Sequence, residues 1–164
     1  MKHIVNSIAI VVLIVLAAAI FANAMTKGPA RDEQMYCTAG ILMSQGKMIY
    51  RDFSYVAQMP YHPLIYSALF KISGTTHYLL AGRFSSVICD IAVMICIFGI
   101  YRRVLDKSVA GVLTGLAGAV IYVFNPITDY SNGYAWNNDA VLLCVMLSFW
   151  LFVSAGNEDR KSVV

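Results

Sequence analysis

Between Ile4 and Phe21 the chain runs without a single charged side chain. That stretch constrains the fold more than any other. In hydrocarbon every backbone N–H and C=O must be bonded within the protein, so an apolar run of this length crosses a bilayer as a helix. About 20 such residues cover about 30 Å of membrane core. Three similar runs follow, and the predicted spans are residues 4–24, 78–101, 109–124 and 139–155. Composition agrees: 59% of the 164 residues are hydrophobic and 13% are charged, against about 25% charged in an ordinary soluble domain. This balance argues against a water-soluble globule, and it is the reverse of the disorder signature. The expected fold class is an all-α membrane protein with about four transmembrane helices, forming a single membrane module over residues 1–164 with an outer loop at 26–77.

Charge placement supplies the orientation. Arg102, Arg103 and Lys107 follow the second span at once, which marks that end as cytoplasmic. The loop Asn125–Asn138 carries no Lys or Arg, as an outer loop should. Both termini are then cytoplasmic. The first loop does hold Lys27, Arg31, Lys47, Arg51 and Lys71, but long loops are weak topology determinants. Ala22-Asn23-Ala24 looks like a signal cleavage site. The apolar run before it is longer than the roughly 7–15 residues of a signal peptide, and an uncleaved anchor is expected. Gly111, Gly115 and Gly118 allow close helix packing in the third span. The net charge of +3 includes no basic block longer than Arg102-Arg103, so no nucleic-acid partner is expected. Cys37, Cys89, Cys96 and Cys144 match no zinc or redox spacing, and neither a structural metal nor an internal disulfide is expected.

The outer loop is far longer than the usual connection of about 4–6 residues, which makes it either disordered or functional. Tyr36, Tyr50, Phe53, Tyr55, Tyr61, Tyr66 and Phe70 are spread along it and argue for order. Asp32 reads as the N-cap of a helix reaching about Gln45 and stopped by Gly46. Met35, Ala39, Leu42 and Met43 would form its apolar face. A second short helix runs from Tyr61 to Lys71 and ends at Ser73-Gly74. Both are too short to span and are expected in the interface. The aromatic residues admit two readings: a substrate-facing surface, or a belt at the lipid boundary.

The order of motifs resembles the amino-terminal half of the GT-C membrane glycosyltransferases, the protein mannosyltransferase and aminoarabinose transferase relatives. The residues that carry the resemblance are Asp32-Glu33-Gln34-Met35-Tyr36, Gly46-Lys47-Met48-Ile49-Tyr50-Arg51-Asp52-Phe53, His62-Pro63-Leu64-Ile65-Tyr66, Ala81-Gly82-Arg83 and Asn137-Asn138-Asp139-Ala140. Two departures stand out. The family's Pro-Pro is His62-Pro63 here, and Gly82 separates its Ala-Arg pair.

The resemblance implies sugar transfer from a polyprenyl- or dolichyl-phosphate donor on the outer side of the membrane, in a bacterial inner membrane. It assigns catalytic roles to Asp32, Glu33 and Asp139, and substrate-binding roles to Arg51, Tyr61, His62, Arg83 and Asn138. The partners it implies are a lipid-linked sugar, membrane lipids, and a carboxy-terminal half that completes the donor cleft. It requires no certain cofactor and allows a divalent cation at the Asp32 site. Several residues also have plainer readings. Asp32 and Asp139 would serve as helix N-caps, Arg51 and Asp52 would form a local ion pair, and Arg83 would snorkel to the interface. The competing function is that of a non-catalytic four-span membrane subunit or scaffold whose outer loop binds a partner.

Overall fold

A computed structural model describes residues 2–55, 60–125 and 133–162. The described residues form six helices: α1 (Lys2–Thr26), α2 (Arg31–Ser44), α3 (Tyr61–Ser73), α4 (Tyr78–Val104), α5 (Val109–Phe124) and α6 (Asn137–Ser162). Three of them contain segments long and apolar enough to cross a membrane, His3–Thr26, Tyr78–Val104 and Asn137–Gly156. The protein is an all-α integral membrane protein. Helix α5 is apolar but has only 16 residues, a rise of about 24 Å against about 30 Å of hydrocarbon. It starts where Ser108 Oγ accepts the Gly111 N–H at 3.1 Å. It stops before the extended Asn125, the residue preceding Pro126.

Two apolar clusters organise the chain. The first lies among the long helices and joins Leu16, Ile20 and Ala24 of α1 to Val87, Val93 and Met94 of α4 and Ala119, Tyr122 and Val123 of α5. Helix α4 is central and packs against α1, α5 and α6. Gly115 makes its closest approach possible, since a Cβ there would stand 2.9 Å from Phe98 Cδ2 and 3.0 Å from the Phe98 carbonyl. Helix α6 leans on α4 and leaves Phe149, Leu151 and Phe152 exposed. In a bilayer these side chains face lipid or further protein.

The second cluster sits over one end of the first. Tyr36, Cys37 and Ala39 of α2, Tyr66 and Phe70 of α3, Tyr55, and Ala135 ahead of α6 form its core. Helices α2 and α3 meet at Gly40, where a Cβ would come within 2.7 Å of Tyr66 Cβ. Both short helices expected between the first two long ones are therefore present, and α3 ends at the expected Gly74, whose φ is +59°.

Two local expectations are corrected. The cap of α2 is Ala30, not Asp32, and the helix runs Arg31–Ser44. Glu33, three residues beyond the cap, accepts the Ala30 N–H through Oε2 at 3.2 Å. That bond satisfies the donor, so Asp32 lies inside the first turn with its side chain exposed. The buried face of α2 is Glu33, Tyr36, Cys37, Ala39 and Gly40, whereas Met35, Leu42 and Met43 are half-buried. A count of apolar residues misses this face because it is made of a paired charge, a phenol and small residues.

Candidate functional site

The second cluster is held to the spans by one buried ion pair. Arg83, in the second turn of α4, gives Nε to Glu33 Oε1 at 2.7 Å and Nη2 to Glu33 Oε2 at 2.9 Å. Its other bonds reach the end of α1 and the link to α2. Nη1 donates to the carbonyls of Ala24 at 2.9 Å and Lys27 at 2.7 Å, and Nη2 to that of Gly28 at 3.0 Å. All five guanidinium N–H groups are used. Glu33 is 0% exposed, and its Oε1 also accepts the Ala135 N–H at 2.9 Å. One fork-to-fork pair therefore ties α1, α2, α4 and the approach to α6 together, with every charge and polar atom answered.

Two further acids lie below it. Asp90 is 0% exposed and accepts the Tyr122 hydroxyl at 3.0 Å and the Gly133 N–H at 3.2 Å. Asp139, at the first turn of α6, lies close enough to Asp90, and to Ser86 one helical turn earlier on the same face of α4, for the side chains to interact. Asp139 is also buried, and its Oδ2 has no hydrogen-bond partner among the described residues. Lys27 lies near enough for its charge to act on both acids. Its ammonium sits 4.9 Å from the centre of the Tyr134 ring, which stacks on Trp136 at 5.0 Å.

An aromatic box adjoins this layer. Tyr36 donates its hydroxyl to Asn137 Oδ1 at 3.1 Å, joining α2 to the start of α6. The His62 ring stands edge-on to Tyr36 at 5.1 Å and against Tyr66 at 4.3 Å. Burial pushes the His62 pKa down to about 4, so the ring is neutral at pH 7. Neither of its nitrogens has a hydrogen-bond partner among the described residues. Burial, reinforced by the Glu33 charge, raises the Cys37 thiol to about 12, which leaves it unreactive.

Glu33, His62, Arg83 and Asp139 are thus buried, whereas Asp32, Arg51, Tyr61 and Asn138 are exposed. The starts of α2 and α6 come together through Glu33–Ala135 and Tyr36–Asn137. Arg51 is engaged elsewhere. Its Nε and Nη2 fork onto Asp52 at 3.0 and 2.9 Å on an exposed turn, where Asp52 Oδ2 also accepts the Met48 N–H at 2.8 Å. That is the local ion pair anticipated from the sequence. The Arg51 hydrogen bond and the Met48 N–H hold the Asp52 carboxyl down at about 2. Among the described residues no three His, Cys, Asp or Glu side chains gather as a metal site.

Compared with known families, residues 57–163 match the pattern described as dolichyl-phosphate-mannose-protein mannosyltransferase. The chain belongs to the dolichyl-phosphate-mannose-protein mannosyltransferase family. The match takes in Tyr61, His62, Arg83, Asn138 and Asp139 and begins after Asp32, Glu33 and Arg51. No curated protein and no solved structure matches the chain. Family membership implies a dolichyl- or polyprenyl-phosphate sugar as donor.

Sequence reasoning left several residues of this buried layer unassigned: Lys27, Ser86, Asp90, Tyr122 and Tyr134. Asp90 alone carried a signal, as an acid inside an apolar run. Its partners, Tyr122 and the Gly133 N–H, are far away in the chain.

Proposed function

We propose that this chain forms the acceptor-activating part of a polyprenyl-phosphate-sugar-dependent glycosyltransferase acting at the outer face of the membrane, with both termini in the cytoplasm. The supporting observation is the contrast between Asp32 and Glu33. Glu33 is buried in the Arg83 fork, and Asp32 is exposed one residue earlier on the same rigid turn. An acid held by its neighbour but open to solvent suits a general base. In the reaction the acceptor oxygen bonds to the anomeric carbon as its proton passes to the Asp32 carboxylate. The bond between that carbon and the phosphate oxygen breaks, and its electron pair leaves with the lipid phosphate. Asp139, at the first turn of α6, supports the acceptor side, with Asn138 exposed beside it. Tyr61 and His62 stand at the start of α3, next to Tyr36. Glu33 and Arg83 act through position rather than by touching substrate.

Asp32→Asn tests the assignment. Asp32 makes no cap bond, so the change costs only the charge–dipole interaction of the first turn, about 0.3–1 kcal/mol. Loss of a general base costs about 10²–10⁴-fold in rate. Transfer from dolichyl-phosphate-mannose, measured in proteoliposomes, is expected to fall by that factor while the thermal unfolding midpoint stays near wild type. Wild-type turnover by the Asp32→Asn variant would remove Asp32 from catalysis.

A further inference from the structure

We propose that the groove between α3 and the first turns of α4 seats an acyl chain of a membrane phospholipid, with the head group at the α3–α4 turn. The inference needs only that α4 spans the membrane, and it stands apart from the transferase reading. The groove has a volume of about 380 Å³. Leu80, Ala81, Phe84, Ser85 and Ile88 of α4 form its floor, and Leu69 of α3 forms its side. Ser73, Thr75 and His77 stand around its mouth. Short-range contacts fix this shape. Gly74, in the left-handed region at φ +59°, ends α3, and Thr75 Oγ1 accepts the His77 N–H at 3.1 Å just before α4 begins. Phe70 packs on Tyr78 with ring centres 5.0 Å apart, which ties α3 to the start of α4. Phe84 is braced edge-on by Phe21 of α1 at 6.3 Å. The groove is therefore built before anything fills it.

Continuity, length and charge choose the occupant. The floor belongs to the lipid-facing side of a span, because Leu80, Phe84 and Ile88 are 51%, 51% and 56% exposed within Tyr78–Val104. From His77 to Ile88 the helix rises about 16 Å, close to one leaflet, which is half of about 30 Å of hydrocarbon. A phospholipid acyl chain has that reach. A crossing helix of another protein is about twice as long, and a polyprenyl chain is longer and methyl-branched. Water does not fill an apolar groove, and close packing calls for hydrocarbon there. Helix α3 continues the same surface. Beside the face it buries against α2, it exposes a second apolar stripe at helical spacing: Tyr61, Leu64, Ile65, Ala68 and Ile72. Four residues separate α3 from α4, so this stripe is held at the membrane boundary, and Lys71 in its last turn supplies a cation at head-group depth. Helix α2 instead turns Arg31, Asp32, Gln34 and Thr38 outward. The sequence placed both short helices in the interface, and their open faces assign that place to α3 alone. The other face of α3 carries His62 and Tyr66, so a seated lipid also steadies the aromatic box.

The experiment uses the full chain in phosphatidylcholine nanodiscs doped with phosphatidylglycerol that carries a diazirine in one acyl chain. After illumination, adducts are mapped by peptide mass spectrometry. They are expected along residues 80–88 and around Leu69 several times more densely than at Phe149, Leu151 and Phe152, whose exposed side chains meet ordinary bilayer lipid. Unlabelled phosphatidylglycerol should compete the groove adducts away, and polyprenyl phosphate at the same mole fraction should not. Ser85→Phe fills the groove from its floor. That variant is expected to lose the groove adducts, keep those on α6 and retain the wild-type unfolding midpoint. Ser85→Leu repeats the test with a smaller side chain if the phenylalanine variant does not fold. Lys71→Gln should weaken the competition by phosphatidylglycerol about fivefold, the usual effect of one lysine at an anionic surface. Equal labelling of the groove and the α6 face would reduce the lipid to ordinary boundary lipid and overturn the proposal. Stronger competition by polyprenyl phosphate, or a groove left unlabelled because protein covers it, would overturn it as well.

Discussion

Glu33 and Arg83 are fifty residues apart in the chain and share two hydrogen bonds in an interior closed to water. The energetics of such a pair are asymmetric. The intact pair need not exceed a well-packed apolar pair in stability, but breaking it strands a charge. Glu33→Leu is therefore expected to destabilise the fold by about 3–5 kcal/mol. The double variant Glu33→Leu/Arg83→Met should lose less than the sum of the two single changes. Thermal unfolding midpoints of the three variants in one detergent check this, and strict additivity would show that the fork is not coupled. Arg51–Asp52 presents the same chemistry on an exposed turn, where water screens it and it contributes little. The two pairs join the same kinds of group, one between chain neighbours and one across fifty residues. Only the neighbours supplied by the fold separate a turn clasp from a hub.

Helices α4 and α5 meet through glycine, and the expectation that Gly115 allows close packing can be put in numbers. A Cβ at Gly115 meets both a ring atom and a backbone oxygen of Phe98 at 3.0 Å or less. The backbone oxygen cannot rotate away. Gly115→Ala is expected to force the helices apart and cost about 1–3 kcal/mol. Gly156 on α6 has nothing within 4 Å of its Cβ position. Gly156→Ala should be neutral or stabilising by up to about 1 kcal/mol, because alanine is the better helix former. Unfolding midpoints of the two variants should move in opposite directions or differ clearly. Helix α2 shows why boundaries are harder to read than helices. Asp32 and Glu33 are both plausible at a helix start, and the choice turned on which carboxylate Arg83 could reach.

On the scale of the whole molecule, the long helices and the α2–α3 layer form two clusters joined by the Arg83 hub, the Asp90 and Asp139 carboxylates and the Tyr36–Asn137 bond. The proposed orientation of this assembly rests on the positive residues at the end of α4. Lys107→Cys, placed after Arg102 and Arg103 in the turn between α4 and α5, is expected to react with a membrane-impermeant thiol reagent only from the cytoplasmic side. The control is a variant with Cys37, Cys89, Cys96 and Cys144 replaced. Labelling from the outside would invert the proposed orientation and put Asp32 on the wrong face for the proposed reaction.

The sequence by itself determined the membrane class, the helices and some of their ends. Hydrocarbon allows an apolar run few alternatives, and glycine, proline and serine act locally at helix termini. The order of the motifs around Asp32, Arg83 and Asp139 also pointed to the family that residues 57–163 match. Tertiary structure alone decided which acid is buried, which arginine is saturated and where Lys27 lies. Those properties depend on partners that sit dozens of residues away. Glu33 and Asp32 are chemically near-equivalent until Arg83 and the Ala30 and Ala135 N–H groups converge on one of them. Charge burial is a sum over neighbours in space, and no local reading of the chain contains that sum.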